Sequence, residues 1–210
     1  MTGPVLLTRR HAMCCLVAVA VTFASASALD PTKAQAELAE ALDPLIAGHR
    51  GQVAVMIRHL DNGAECGVRA DEVMPTASLI KLPVMIAAYQ LEAENKLDLS
   101  KQVTFRDADR VPGSGLLSRH FSDGLQLSLR DCLRLMISHS DNAATNLLLC
   151  EMGLNATNDM MTTLGCPNTR IHARVYQPDT SISPADSQKW GLGRSTPREM
   201  VSLLARLHAK

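Results

Sequence analysis

The spacing of apolar residues changes twice along the chain, and this order of patterns limits the folds open to it. Residues 31–50 carry leucines at helical spacing, which predicts an N-terminal amphipathic helix with a kink or break at Pro44. Residues 52–58 are β-branched and alternating, and after the turn-forming Asp61-Asn62-Gly63 the chain returns over residues 65–68, which predicts a β-hairpin. The rest is mostly helical. One helix, one hairpin and a helical block predict a protein of mixed α and β structure.

The helical block carries several start and stop signals. A helical pattern covers residues 78–97, and Ser128 begins a further helix in a capping-box-like sequence. Two short helices then end at glycines. A loop rich in Pro, Ser, Asp and Gly is predicted over residues 167–194. Thr196 begins the last helix, with proline at its first position and a boxed glutamate.

Charge and composition exclude several classes of function. The 21 basic residues balance 21 acidic ones, so no broad positive field is available for a phosphate backbone, and nucleic-acid binding is not expected. The aromatic content of 3% leaves little surface for base stacking. The composition, 46% apolar and 20% charged, is typical of a globular protein.

The N-terminal segment has the order of a secretory signal peptide. A basic stretch precedes an apolar run over residues 12–24, and the small residues that follow allow cleavage after Ala26 or Ala28. The run is shorter than the roughly 20 residues that span a bilayer. We therefore expect residues 1–28 to be a signal peptide outside the fold. Residues 29–210 would be the exported domain, periplasmic or secreted, with no stable membrane insertion after cleavage. An uncleaved anchor is the alternative.

Cleavage would leave four of the six cysteines, namely Cys66, Cys132, Cys150 and Cys166. They allow three disulfide pairings, and the sequence does not select among them. None has the C-x-x-C spacing of a zinc site, so no metal is expected.

The first candidate catalytic residues are Ser78 and Lys81, which lie three residues apart. If a helix begins at Ser78, both side chains project from one face, and the amine can approach the hydroxyl. Apolar neighbours of Lys81 would disfavour its charged form, so that it could take the proton of the serine. The backbone N–H of Ser78 could donate to an oxyanion. The alternative is that Ser78 only caps a helix and Lys81 is a solvated side chain.

A second motif changes the balance between these alternatives. Ser140-Asp141-Asn142 closes one predicted helix and opens the next, so three small polar side chains stand at a helix junction. The combination of this tripeptide with S-x-x-K is much rarer than either alone. With Lys81-Leu82-Pro83, Gly113-Ser114-Gly115 and residues 136–144, the chain resembles the penicillin-recognising serine hydrolases, and most closely the class A serine β-lactamases. The resemblance covers about residues 31–210.

The resemblance implies an acyl-serine mechanism. Ser78 would attack the carbonyl of a β-lactam or of a D-Ala-D-Ala-like peptide, and Lys81 would help to remove its proton. Ser140 would pass that proton to the departing nitrogen, and Asn142 would bind the side-chain amide of the substrate. The family mechanism needs neither a metal nor an organic cofactor, so none is expected.

The resemblance also implies a fold class, α/β of the α+β type. An all-helical lobe would pack beside an α/β lobe, in which helices lie on an antiparallel sheet, and the reactive serine would lie between the lobes.

The chain departs from the family pattern in the loop before Thr196, where class A enzymes carry a glutamate that holds the deacylating water. A gapless match places Val175 at that position and Asp179 at the position of a nearby asparagine. A valine cannot act as a base. Asp179, Asp186 and His172 are possible replacement bases, and each is alternatively a residue that only stabilises the loop.

A second departure is that the Lys-Thr/Ser-Gly triplet of the family's site strand does not occur in the chain. That strand and its neighbours complete the family's sheet. We therefore expect an incomplete sheet lobe with a single hairpin, and a C-terminally truncated piece of a longer protein. A naturally shortened, inactive relative is the alternative.

Three functions from different classes fit these observations. The first is a β-lactam hydrolase that acts through an acyl-serine intermediate. The second is a penicillin-binding or peptidase-like acyl-serine protein with slow deacylation, which the missing glutamate favours. The third is a catalytically silent relative that keeps the fold, which the missing triplet favours.

Overall fold

The computed structural model describes residues 15–20 and 31–209, with side chains from residue 35 onward. The helices are α1 (Pro31–Ala47), α2 (Lys81–Ala93), α3 (Leu117–His120), α4 (Leu129–Ser138), α5 (Asn142–Met152), α6 (Leu154–Thr163), α7 (Pro184–Trp190) and α8 (Pro197–His208). The strands are β1 (Cys15–Ala20), β2 (Val53–Arg58), β3 (Glu65–Val68), β4 (Met74–Pro75), β5 (Gln102–Phe105), β6 (Leu125–Ser128), β7 (Arg170–Ile171) and β8 (Gly193–Ser195). This is the predicted α/β architecture, in which helices dominate and the sheets are small. Within the described part of the chain, no helix is long and apolar enough to cross a membrane.

The N-terminal sheet has the strand order β1, β2, β3. Strands β2 and β3 form the predicted antiparallel hairpin, with Val55 opposite Val68. Strand β1 lies parallel to β2, with Cys15 opposite Val53. Residues 15–20, which belong to the expected leader, therefore pair with the hairpin in the uncleaved chain. The free edge of β2 offers unpaired N–H and C=O groups, and an apolar segment of the same chain satisfies them.

The cleavage site lies outside the described residues, so removal of the leader stays a prediction. Helix α8 packs against β1 and β2, while α1 packs against β3.

The loop predicted over residues 167–194 contains regular structure, which corrects the prediction. Strands β7 and β8 join β4 in an antiparallel sheet of order β4, β8, β7, in which Arg194 lies opposite both Pro75 and Arg170. These strands are only two or three residues long, so they leave no periodic signal in the sequence. Strands β5 and β6 form another antiparallel pair, in a sheet separate from the hairpin.

The core of the helical block is built around α2. Side chains that are at most 2% exposed come from the turn before α2, from α2 itself and from the facing helices α4 and α5; they include Ile80, Val84, Leu133, Met136 and Leu148. Burial of one such side chain contributes about 1.5–3 kcal/mol. This packing fixes the turn before α2, where the candidate nucleophile Ser78 lies.

The predicted starts of α4 and α8 are confirmed. The Ser128 side chain accepts a hydrogen bond from Asp131 N at 3.1 Å, and the Thr196 side chain accepts one from Glu199 N at 3.2 Å. The helix break that the sequence allowed at Pro44 does not occur, since α1 continues past this residue and ends at Ala47. A proline so close to a helix end removes few helical hydrogen bonds.

The four cysteines outside the leader carry free thiols, so the structure contains no disulfide among the described side chains. Burial raises the pKa of the Cys132 thiol to about 12. Such a thiol is a poor nucleophile and behaves as an apolar core side chain.

Candidate active site

Ser78 lies in a strained turn between β4 and α2. Residues Ala77–Ile80 form a 3₁₀ turn and the α-helix begins only after it, so the prediction that an α-helix begins at Ser78 is wrong by one turn. The φ of 44° at the first residue of this turn is in the left-handed region, which costs of order 1–3 kcal/mol for a non-glycine residue. The neighbouring sheet holds the turn, because Thr76 N donates to Gly193 O at 2.9 Å.

Lys81 is 3% exposed, and its amine is surrounded by oxygen acceptors. Nζ donates to Ser140 O at 2.7 Å, to Ser140 Oγ at 3.0 Å and to Asn142 Oδ1 at 2.8 Å. Burial lowers the pKa of Lys81 to about 8, although the charge of Asp141 acts in the opposite direction. The amine therefore loses its proton more readily than an ordinary lysine does.

Ser140 connects Lys81 to Ser78. It lies between α4 and α5 with φ of 50°, and its Oγ donates to Ser78 Oγ at 3.1 Å. The prediction was that the amine approaches Ser78 directly, whereas the hydrogen bonds among the described residues lead from one to the other through Ser140. The reason is that the three donors of the ammonium group already face oxygens of Ser140 and Asn142.

The buried carboxylate of Asp141 holds two segments of the site together. Oδ2 accepts hydrogen bonds from Leu116 N at 2.6 Å and Leu117 N at 2.8 Å, while Oδ1 accepts one from Ala144 N at 3.0 Å and caps α5. Gly115 lies directly against this carboxylate. A Cβ at Gly115 would lie 2.5 Å from Cγ of Asp141, so the close approach requires a glycine.

Ser78 and Asn142 open into a cleft of about 400 Å³. One side of the cleft carries Ser114, whose Oγ donates to Ser140 O at 2.7 Å. The other side is formed by residues 173–178 and 191–192 from the segment between α6 and α8. The volume is within the range of roughly 300–1,000 Å³ that small-molecule sites occupy.

The cleft wall at Val175 is fixed by Asn146, a residue that the sequence did not single out. Asn146 Nδ2 donates to Val175 O at 3.0 Å, and Val175 N donates to Asn146 Oδ1 at 2.8 Å. Both residues are buried, and Val175 lines the cleft. The available signal was that Asn146 lies one helical turn after Asn142 on α5.

None of the three possible replacement bases lines the cleft. His172 is buried, which lowers its pKa, and its Nδ1 lies 3.2 Å from Gly191 O. Asp179 is exposed in a 3₁₀ turn beyond the cleft wall. Asp186 forms an ion pair with Arg194 at 3.5 Å. The structure therefore does not bring these side chains together with the nucleophile.

The site combines the hydroxyl of Ser78, which is the candidate nucleophile, a buried amine with a lowered pKa, and a second hydroxyl between them. This arrangement can remove a proton from the nucleophile and return it to a leaving group. The part of the chain that the structure describes has no group of three His, Cys, Asp or Glu side chains placed to hold a metal ion.

Comparison with known proteins shows which family the chain matches. A sequence model of the beta-lactamase enzyme family matches residues 37–210. A β-lactamase from Streptomyces cellulosae is 30% identical over 175 residues, which are 81% of this chain and 55% of that protein. The chain spans about half the length of the curated relatives it matches.

Solved structures share the fold. A β-lactamase from Sphaerobacter thermophilus is similar with a TM-score of 0.61 and 30% identity, over 74% of this chain and 56% of that one. A mutant of PBP-A, solved as an acyl-enzyme complex with penicillin G, has a TM-score of 0.69 and 24% identity, over 83% of this chain and 62% of that one.

Proposed function

The chain belongs to the beta-lactamase enzyme family, and we propose that it is a serine hydrolase that opens the β-lactam ring through an acyl intermediate on Ser78. The observation that carries this proposal is the hydrogen-bonded series from Lys81 Nζ through Ser140 Oγ to Ser78 Oγ, with distances of 3.0 and 3.1 Å, beside an open cleft. The relatives that are named β-lactamases support the substrate class.

In the first step, Ser78 Oγ attacks the carbonyl carbon of the lactam. Its proton passes to Ser140 Oγ, and the proton of Ser140 passes to the neutral amine of Lys81. When the carbon–nitrogen bond of the lactam breaks, the nitrogen receives a proton from Ser140, which recovers one from Lys81. The result is an ester between Ser78 and the opened substrate.

Asn142 is oriented for a substrate contact. Its Nδ2 donates to Pro112 O at 2.9 Å, and its Oδ1 accepts from Lys81 at 2.8 Å. These two bonds fix the plane of the side-chain amide and leave its second N–H for the side-chain amide of a substrate.

A second candidate function is an acyl-serine protein of the penicillin-binding or peptidase-like class, which releases its acyl group slowly. The specific observation that favours it is that Val175, an apolar side chain without a proton acceptor, lies in the cleft wall at the position matched to the deacylating glutamate. Ester hydrolysis then proceeds without a positioned general base.

Mixing the full-length protein with a chromogenic cephalosporin separates these functions. Colour that continues beyond one equivalent of substrate supports the hydrolase. One equivalent released in a burst, followed by slow turnover, supports the acyl-serine protein. No colour change contradicts both and supports a catalytically silent relative. Ser78→Ala is the control, because it removes the nucleophile without adding volume.

We further propose that the protein is exported and acts in the periplasm or after secretion, with cleavage after Ala26 or Ala28. The basic stretch, apolar run and small residues of the leader support this. N-terminal sequencing of the exported protein tests it. A cytoplasmic protein that retains residue 1 would contradict it.

A further inference from the structure

Tyr176 adopts a backbone conformation that is rare for a bulky residue. Its φ of 58° lies in the left-handed region. The conformation is held from both sides, because Asn146 binds the backbone of Val175 and Gln177 N donates to Arg174 O at 3.2 Å. Strain that neighbouring contacts hold in this way is concentrated at functional sites.

The ring of Tyr176 lies next to Gly113. A Cβ added to Gly113 would lie 3.1 Å from Cε2 and 3.2 Å from Oη of Tyr176, and 2.7 Å from Nδ2 of Asn142. The ring and the Asn142 amide therefore border the same small gap, which exists because residue 113 has no side chain.

The ring is free to contact a ligand. Tyr176 is 62% exposed. It lines the same cleft as Ser78, next to the apolar Val175 and Leu192. Within the part of the lining that the structure describes, it is the one aromatic side chain.

We propose that Tyr176 determines substrate specificity, by forming an aromatic wall that packs against the side chain of the acyl donor. The inference rests on the proposed acylation of Ser78. With an amide-binding group at Asn142 and an aromatic face beside it, the cleft favours β-lactams whose side-chain amide carries a planar aromatic group. Aromatic rings pack against one another in offset or edge-to-face arrangements, for which the exposed face of Tyr176 is available.

The test compares two penicillins that share the nucleus and the amide. Benzylpenicillin carries an aromatic ring on its side chain, and 6-acetamidopenicillanic acid carries only a methyl group. Rate constants for acylation of Ser78 in the full-length protein are followed by intact mass. The variants are Tyr176→Ala, Tyr176→Leu, which keeps bulk without an aromatic face, and Tyr176→Phe. Tyr89→Ala is the matched control, since Tyr89 is an exposed tyrosine on α2 that does not line the cleft.

We expect Tyr176→Ala and Tyr176→Leu to lower the rate constant for benzylpenicillin about tenfold and to change that for the acetamido compound by less than about twofold. Tyr176→Phe and Tyr89→Ala should keep the wild-type preference. An equal loss for both compounds would mean that Tyr176 only maintains the loop, and it would overturn the inference, as would an unchanged preference. A wild-type protein that forms no adduct with either compound would overturn the proposed function itself.

Discussion

Lys81 carries its amine where burial disfavours the charged form, and its pKa is lowered to about 8. If the neutral amine accepts the proton of Ser78 through Ser140, the rate constant of acylation rises with pH through an inflection near 8. Lys81→Met should lose the inflection and slow acylation by about 10²–10⁴. The measurement is the acylation rate constant by intact mass at a series of pH values. A wild-type profile that is flat through this range would contradict the role of Lys81.

The same pKa determines how Lys81 contributes to stability. The ordinary pKa of 10.5 applies to the unfolded chain, whereas the folded value is about 8. Between these values the unfolded chain binds the proton and the folded protein does not, so the contribution of Lys81 to the free energy of unfolding rises with pH. Urea unfolding of wild type and Lys81→Met should show the difference moving in favour of wild type from pH 8 to 10.5. A constant difference would mean that the amine is not perturbed.

Under the proposed mechanism, the side chain at position 175 determines whether the acyl group is hydrolysed quickly or released slowly. Val175→Glu places a carboxylate in the cleft wall, on a backbone that Asn146 holds from both sides. A positioned general base is typically worth about 10²–10⁴ in rate, so the acyl-enzyme should hydrolyse at least about tenfold faster. The decay of the adduct mass measures this. Val175→Gln is the control of equal size without a base. Equal lifetimes for both variants would refute the explanation.

At the level of elements, Glu199 joins the start of α8 to the segment before β7. Its buried carboxylate accepts from Asn168 N at 3.0 Å, from Asn168 Nδ2 at 2.9 Å and from Thr169 Oγ1 at 2.5 Å. The sequence assigned this acid to a capping box with Thr196, which the structure corrects, because the carboxylate turns to the buried donors of the neighbouring segment instead.

Glu199→Gln should therefore lower the free energy of unfolding by about 2–3 kcal/mol, because an amide nitrogen replaces an acceptor beside buried donors. Urea unfolding measures the change. The control is Glu94→Gln, which affects an exposed ion pair with Lys96 and an exposed hydrogen bond from Gln90, and should change stability by less than about 1 kcal/mol. Equal effects at the two positions would show that the Glu199 contacts do not stabilise the fold.

Strand β1 covers an edge of the hairpin that would otherwise be free. Without residues 1–28, β2 would keep only β3 as its partner, and a two-stranded sheet is marginal in water. We expect residues 29–210 alone to associate through this open edge. Size-exclusion chromatography with light scattering tests this. A monomer with one cooperative thermal transition would contradict it.

The elements that the sequence predicts best are those with local signals. The starts of α4 and α8 follow from Ser128 and Thr196. Their side chains bind backbone N–H groups in the first turn of the same helix, so these caps do not depend on what the helix packs against. Strands β7 and β8 could not be predicted, because their few residues pair only once the chain has brought them beside β4. The 3₁₀ turn at Ser78 could not be predicted for a similar reason. Thr76 N, just before the turn, donates to Gly193 O in β8, which lies far along the chain.

At the scale of the whole molecule, the site is assembled from segments that lie far apart in the chain. Two motifs predicted the segments around Ser78 and Ser140, because each has a recognisable sequence at a helix end. The loop wall at Val175 and Tyr176 could be matched to a position but not to a role, since that role depends on contacts with Asn146 and Gly113. The segments proposed to transfer the proton were therefore predictable, whereas the cleft wall at Val175 and Tyr176 was not.

The central claim is that Ser78 is the nucleophile. Incubation of the full-length protein with benzylpenicillin, followed by intact-mass analysis and peptide mapping, measures it directly. We expect a mass increase of one penicillin, located on the peptide that contains Ser78 and absent from Ser78→Ala, while the thermal midpoint of that variant stays near the wild-type value. An adduct that persists in Ser78→Ala, or a wild-type protein that hydrolyses penicillin without passing through any adduct on this serine, would contradict the role of Ser78 as nucleophile.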